Sequence, residues 1–353
     1  MKLIVVNYSM SSKSLIFSHQ REVVLALARF FETVEVFTTE ISSESLPNNV
    51  KVFLVPWKPQ SPVRNIVTIL KLLYPAIYRG RSSVLFSHMT DIHAAIVAPL
   101  TWLLQMQHIF WYAHAKNSRY LIWASFFVTK IVSSTLGSCN LNLNKKKIVY
   151  INQGINGKNF PYHQRSRNAL RNILYYGRLD PSKNIHLFPD LIDELNYSQK
   201  TYTLAIFGKP GNVSAEKYLK KVTAVQNVIS QELPITFNGP IARVLIPDIA
   251  EQYGTFLNLF SGSLDKTLIE ATLMGMPVVT WNREYCSQFG TWSGESVSED
   301  LEFIIKEFRS IDSYKVTELN KEINKRLHLA IKKHTFEGWI DRLVGILREG
   351  ASS

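Results

Sequence analysis

Short, wholly apolar runs alternate with longer amphipathic ones from one end of the chain to the other. In the first half the apolar runs predict strands over 3–6, 34–38, 50–55, 83–88, 108–114, 130–134 and 147–151. The intervening spacing predicts helices over 18–31, 65–78, 91–106 and 118–127. Runs such as Val84-Leu85-Phe86 have no polar face, which suits parallel strands covered on both sides. The pattern then restarts, with strands over 173–176, 202–207, 235–238, 255–260 and 277–281 and helices over 185–195, 215–228 and 266–274. Residues 313–349 read as helix with no further strand. Two such series predict an α/β chain of two doubly wound, Rossmann-like domains. The polar stretch 153–171, with Gly154, Gly157 and Pro161, is the expected hinge. The expected limits are 1–160, 161–335, and a terminal helix over 336–353 packing back toward the first domain.

A length of 353 residues suits two domains. Cys139 and Cys286 stand alone, so neither a disulfide framework nor a zinc site is expected and a reducing compartment fits. The longest apolar stretch, 94–104, falls well short of the ~20 residues a membrane span requires. The N-terminus reads as a buried strand, since a secretory leader needs a longer apolar run. The expectation is a cytoplasmic protein, soluble or peripheral on the inner face of the membrane. Charge sharpens this: residues 1–160 hold 17 Lys and Arg against 6 Asp and Glu, a net of +11 out of +12 for the chain. Solubility alone explains so one-sided a distribution poorly; an anionic partner of the first half explains it better. The segment 57–75 places Lys58, Arg64 and Lys71 around an apolar helix with Trp57 and Tyr74, as interfacial segments do. An ordinary core helix reads equally well there.

Two stretches carry candidate chemistry. Residues 261–279 follow an apolar strand with a Gly/Ser turn and open a helix at Asp265, whose carboxylate can cap free amides. Such a turn at a helix N-terminus suits an anion, although an ordinary capped helix would look the same. Glu270 lies further along that helix, placed to accept from a ribose diol. In residues 175–185, Arg178 and Lys183 sit on the loop after the first strand of the second domain, where open α/β sheets bind ligands. Two cations there suit a pyrophosphate; alone, they are common in surface loops.

These residues also carry a resemblance. YYGRLDPSKNI and GSLDKTLIEATLMGMPVV resemble the donor-binding motifs of family-four retaining glycosyltransferases of the GT-B fold. SHMTDIHAAIVAPL, FWYAHAKNSRYL, INQGINGKNF and FSHQREVVLALARFF are similar to further motifs of that family, in order over about residues 1–345. The resemblance implies two Rossmann-like domains facing a cleft, the donor held mainly by the second. It implies phosphate contacts from Arg178 and Lys183, a ribose contact from Glu270, and His114 facing the sugar. Gly177, Gly262, Ser263, Leu264, Asp265 and Lys266 complete the expected donor site. Ser11 and Ser12 in the first loop, His19 and His88 are the expected acceptor-side residues. The implied reaction moves a hexosyl group from a nucleotide sugar to a glycan or lipid-linked acceptor, in surface polysaccharide or glycoconjugate synthesis.

The sequence departs from the family at Gly262, where members carry the first of two glutamates separated by seven residues. A branch with GSLDK shares the change. No Asp-x-Asp motif occurs and no group has ligand spacing, so neither metal nor other cofactor is expected. His88 and His114 taken singly read as capped strand ends. Three rivals stay open: a nucleotide-sugar epimerase or hydrolase of the same fold, a non-catalytic nucleotide-sugar binder, and a nucleic-acid binder. The last lacks any recognised motif, so nucleic acid is not an expected partner. The oligomeric state is not legible.

Overall fold

A computed structural model describes residues 1–14, 17–58, 60–79, 83–114, 116–141, 147–197, 201–229 and 233–349, with side chains for all of these but Ser18 and 224–229. The chain forms two compact units, Met1–Asn152 with Glu337–Ser353, and Gln153–Phe336.

The first unit holds β1 (Lys2–Met10), α1 (Ser18–Leu27), β2 (Thr33–Ile41), β3 (Val50–Leu54), α2 (Pro62–Arg79), β4 (Val84–His88), α3 (Asp91–Leu103), β5 (Gln107–Trp111), α4 (Arg119–Phe127), β6 (Lys130–Ser133) and β7 (Ile148–Tyr150). Its seven strands pair in the order β3-β2-β1-β4-β5-β6-β7, all parallel. β4 is buried along its whole length, its apolar start Val84-Leu85-Phe86 and the polar Ser87 and His88 alike. One core lies between the sheet and α2, through Ile4, Leu85, Ile69 and Leu73; another joins Phe110 and Ile131 to α3 and α4.

The second unit holds β8 (Asn172–Tyr176), α5 (Phe188–Asn196), β9 (Thr203–Phe207), α6 (Val213–Ile229), β10 (Ile235–Phe237), α7 (Ile246–Ala250), β11 (Thr255–Asn258), α8 (Lys266–Leu273), β12 (Val278–Thr280), α9 (Arg283–Phe289), α10 (Leu301–Ser313) and α11 (Val316–His334). Its parallel order is β10-β9-β8-β11-β12. The strand period of two divides β8 between two cores: Ile173 and Tyr175 face α5 and α10, while Leu174 and Tyr176 face α8. Residues 153–160 belong here, where Ile155 bridges to Thr335 and its amide donates to the His334 carbonyl at 2.8 Å.

Next, α12 (Phe336–Arg348) carries the chain back into the first unit. Trp339 meets Trp111 edge-on at 4.9 Å and lies 6.4 Å from His88. Arg342 Nε donates to the Ile151 carbonyl at 3.0 Å, and the Ile346 carbonyl accepts from Gln107 at 3.2 Å.

Several elements differ from the sequence reading. β5 stops at Trp111, so His114 lies in the loop beyond it instead of ending a strand. The helix expected over 185–195 begins as one 3₁₀ turn, Ile185–Leu187, because Asn184 before it takes a left-handed φ of 53°. α7, α9 and α10 were not expected; the first two are one or two turns long and give little periodic signal. No helix among the described residues is long and apolar enough to cross a membrane.

Candidate functional site

In each sheet the strand order reverses at one place, between β1 and β4 and between β8 and β11, and open α/β sheets bind ligands beyond the carboxyl ends of such strands. In the second unit that position is occupied by Gly177 and Arg178 after β8 and by the 259–265 turn after β11. The ends of β8 and β9 approach closely: the Gly177 amide donates to the Phe207 carbonyl at 3.0 Å, and a Cβ on Gly208 would stand 2.0 Å from the Gly177 oxygen. Glycine is needed at 208 for this contact.

Lys183 closes the short turn Pro181–Lys183 and points into the protein, only 6% exposed. Its ammonium lies 2.5 Å from Asp265 Oδ2 and 3.6 Å from the centre of the Phe260 ring. Asn184 fixes the turn by donating from its side chain to the Leu259 carbonyl at 2.9 Å. Asp265 caps α8 as expected, accepting from the Thr267 amide at 3.2 Å. Burial works to raise the Asp265 pKa, but the Lys183 charge and hydrogen bond, with the Thr267 and Asn258 bonds, outweigh it and hold the carboxyl below its usual range.

Phe260 explains the residue at 262. A Cβ there would stand 2.1 Å from the Phe260 ring, so the space that a glutamate side chain would leave through is filled by an aromatic edge. The carbonyls of Phe260 and Gly262 accept from Asn282 at 3.0 and 2.9 Å, and the Leu264 amide donates to Glu284 at 2.5 Å. A carboxylate of the protein therefore occupies one amide of the turn expected to bind an anion, and Ser263 follows Gly262 half-buried. Lys266, first residue of α8, is exposed.

Glu270 is 2% exposed and accepts a hydrogen bond from Arg243, whose guanidinium also lies 5.5 Å from the Phe160 ring. Burial raises the Glu270 pKa; Arg243 and Lys266 oppose that rise without cancelling it. Tyr176 lies within range of the charges of Glu270, Arg243 and Asp265, so Lys183–Asp265 and Arg243–Glu270 form one neighbourhood. Arg178 is different: it is 73% exposed, 3.5 Å from Asp180, and its carbonyl accepts from Tyr175 at 2.8 Å.

Ser11, Ser12, His19, His88 and His114 belong to the first unit. Ser11 follows β1 and ends buried, its Oγ accepting from the Lys13 amide at 3.2 Å; Ser12 Oγ donates to Glu44 at 2.5 Å. His88 ends β4, buried, with His19 edge-on at 5.6 Å. His114 is exposed, 5.5 Å from Tyr112. Sequence reasoning missed Arg243, Phe260, Asn282 and Glu284. Arg243 opens a short turn after β10, the edge strand of the sheet, so the strand-reversal rule does not flag it. Glu284 sits on α9, which had no signal. Among the described residues no group of three or more His, Cys, Asp or Glu is arranged to hold a metal ion.

No protein-family model matches the sequence, and no curated protein matches it. Solved structures are similar over the whole length. Anabaena HepE in complex with UDP is 12% identical, with 98% of this chain and 99% of that one covered and a TM-score of 0.74. A glycosyltransferase from Rickettsia africae is 12% identical, covering 99% and 98%, with a TM-score of 0.73. Sucrose-phosphate synthase from Thermosynechococcus elongatus is 12% identical, covering 100% of both chains, with a TM-score of 0.73. At this identity the likeness is one of fold, and the fold is GT-B: two Rossmann-like units on one chain.

Proposed function

We propose that this chain is a retaining, metal-independent hexosyltransferase of the family-four type, moving a sugar from a nucleotide-sugar donor to a glycan or lipid-linked acceptor in surface polysaccharide or glycoconjugate synthesis. The observation that carries the reading is the pairing of Lys183 with Asp265 next to Arg243 with Glu270, at the place where the second sheet reverses its strand order. A nucleoside diphosphate needs cations for its phosphates and an acceptor for its ribose hydroxyls, and this neighbourhood has both. HepE, crystallised with UDP, shares the fold and supports the choice of ligand class.

The residues divide the work. Lys183, held by Asp265 and Phe260, and Arg178, largely in solvent, stabilise the diphosphate as the sugar–oxygen bond breaks. Glu270 accepts from the ribose diol once Arg243, mostly in solvent, moves off its carboxylate. Ser263 and the backbone around Gly262 take the sugar where the family uses a glutamate. His114 of the first unit acts at the transferred sugar, and Ser11, Ser12, His19 and His88 serve the acceptor. The basic first unit meets an anionic membrane that presents a lipid-linked acceptor.

A thermal-shift series with UDP-, GDP-, dTDP- and ADP-sugars tests the donor, because a bound ligand raises apparent stability by mass action. The expected result is a rise with one nucleotide class, followed by transfer that survives EDTA. No rise with any donor would overturn the reading. Conversion of the donor to an epimer without acceptor would replace transfer by isomerisation. Loss of transfer in EDTA, restored by magnesium or manganese, would overturn metal independence.

A further inference from the structure

Helix α2 has two apolar stripes where a surface helix has one. Asn65, Ile69, Leu73, Ala76 and Ile77 are buried, as a core face should be. Val63, Val67, Leu70, Tyr74 and Tyr78 recur at three- and four-residue spacing on a second stripe, and all but half-buried Leu70 are exposed. Leu70, Lys71 and Tyr74 line a shallow hollow with Leu100 of α3. One turn past Leu100, Leu103 is 70% exposed. Beside it Trp102 meets Phe127 of α4 at 6.0 Å, Phe127 meets Trp123 at 5.0 Å, and neighbouring Phe126 is 66% exposed. The second stripe of α2 thus runs on across the ends of α3 and α4. Apolar surface of this extent marks an interaction site.

Charge selects the partner. Residues 62–127 contain six Lys and Arg and a single carboxylate, Asp91. Asp91 is itself engaged, accepting from Ser118 Oγ at 2.7 Å. Arg64, Lys71 and Arg79, on the helix that carries the stripe, are exposed. A second copy of the chain would bring like charges together across a two-fold contact, which is unfavourable. An anionic bilayer meets both features at once, with aromatic and aliphatic side chains entering the headgroup boundary and cations facing lipid phosphates. The geometry points to the outer face of α2, α3 and α4 as a surface that docks onto anionic lipid.

This narrows the membrane reading above to one face and leaves Trp57, expected at the interface, out of it: Trp57 packs on His93 at 4.7 Å. The surface is independent of the transfer reaction.

Co-sedimentation of the full chain with phosphatidylcholine vesicles, with and without phosphatidylglycerol, tests it. The wild type should bind the anionic vesicles and bind less as salt rises. Leu103→Ser with Phe126→Ser should weaken binding about tenfold. Arg64→Glu with Lys71→Glu should weaken it by about fivefold for each lost cation. Unchanged circular dichroism and an unchanged shift with nucleotide sugar in these variants establish that they are folded. Equal binding to neutral vesicles, binding to neither, or wild-type binding by both variants would overturn the surface. So would a concentration-dependent dimer in light scattering that the same substitutions abolish. The nucleotide-sugar shift of the wild type reports on the donor site alone, so failure of one reading does not imitate failure of the other.

Discussion

The Arg243 guanidinium, 59% exposed, covers the Glu270 carboxylate, 2% exposed, so one partner of this ion pair stands mostly in water and the other inside the protein. The two ends respond differently to substitution.

Arg243→Ala should cost about 2 kcal/mol at neutral pH, less than the full penalty for orphaning a buried charge because Arg243 is itself well solvated. Burial already raises the Glu270 pKa, and losing Arg243 raises it further. A carboxyl with a raised folded pKa gains stability as pH falls, so the deficit should shrink between pH 7 and 5. Thermal melts across that range check it; a deficit independent of pH would mean another cause. Glu270→Gln should mainly raise the donor KM.

Arg178→Ala and Lys183→Ala should each lower transfer by ~10²-fold or more. They should part in stability. Lys183, buried against Asp265, leaves an unpaired carboxylate and costs about 3 kcal/mol. Arg178, largely in solvent, should cost no more than about 0.5 kcal/mol. Wild-type turnover in both would remove these residues from the reaction.

Gly262→Ala drives a methyl into the Phe260 ring and should displace that ring from Lys183, at about 2 kcal/mol. Phe260→Ala should relieve much of that cost, with a coupling of about 1 kcal/mol in a double-mutant cycle. Strict additivity would show that the ring is not what requires glycine.

His108 and His93 are buried, and burial pushes their pKa values down to about 3 and about 4. The folded state then holds fewer protons than the unfolded chain below pH 6.5, so stability should fall as pH drops from there toward these values. At pH 5 each should cost about 2 kcal/mol. His108 keeps Ser87 and Thr101 as partners at 2.8 and 3.1 Å, whereas neither ring nitrogen of His93 has a hydrogen-bond partner. His93→Phe should therefore flatten the acid slope in a pH series of denaturant titrations. A slope as steep as the wild type's would rule His93 out as a source of it.

The alternation of apolar runs was enough to read two Rossmann-like series, because central strands such as β4 and β8, buried on both faces, are apolar over most of their length. Asp265 was legible as a cap, since Asp before an amphipathic run has few other uses. What eluded the sequence depended on long-range packing. That Lys183 points inward follows from Asn184 adopting a left-handed turn and from Phe260 and Asp265, about eighty residues away, meeting its ammonium. Arg243 reaches Glu270 across a separation no local pattern encodes. The two faces of α2 are apolar for different reasons, so periodicity found the helix and could not assign its surroundings.

The return of α12 to the first unit has a consequence for synthesis on the ribosome. Trp111, His88 and the Ile151 carbonyl are made early, yet Trp339 and Arg342, which cover them, emerge only after the whole second unit. At translation rates of roughly 5–20 residues per second, that interval lasts on the order of ten to forty seconds. The second unit can complete its fold while the aromatic seam of the first stays uncovered. The sheet and helices of the first unit can form during that interval, but its last helix can join only when synthesis is nearly complete.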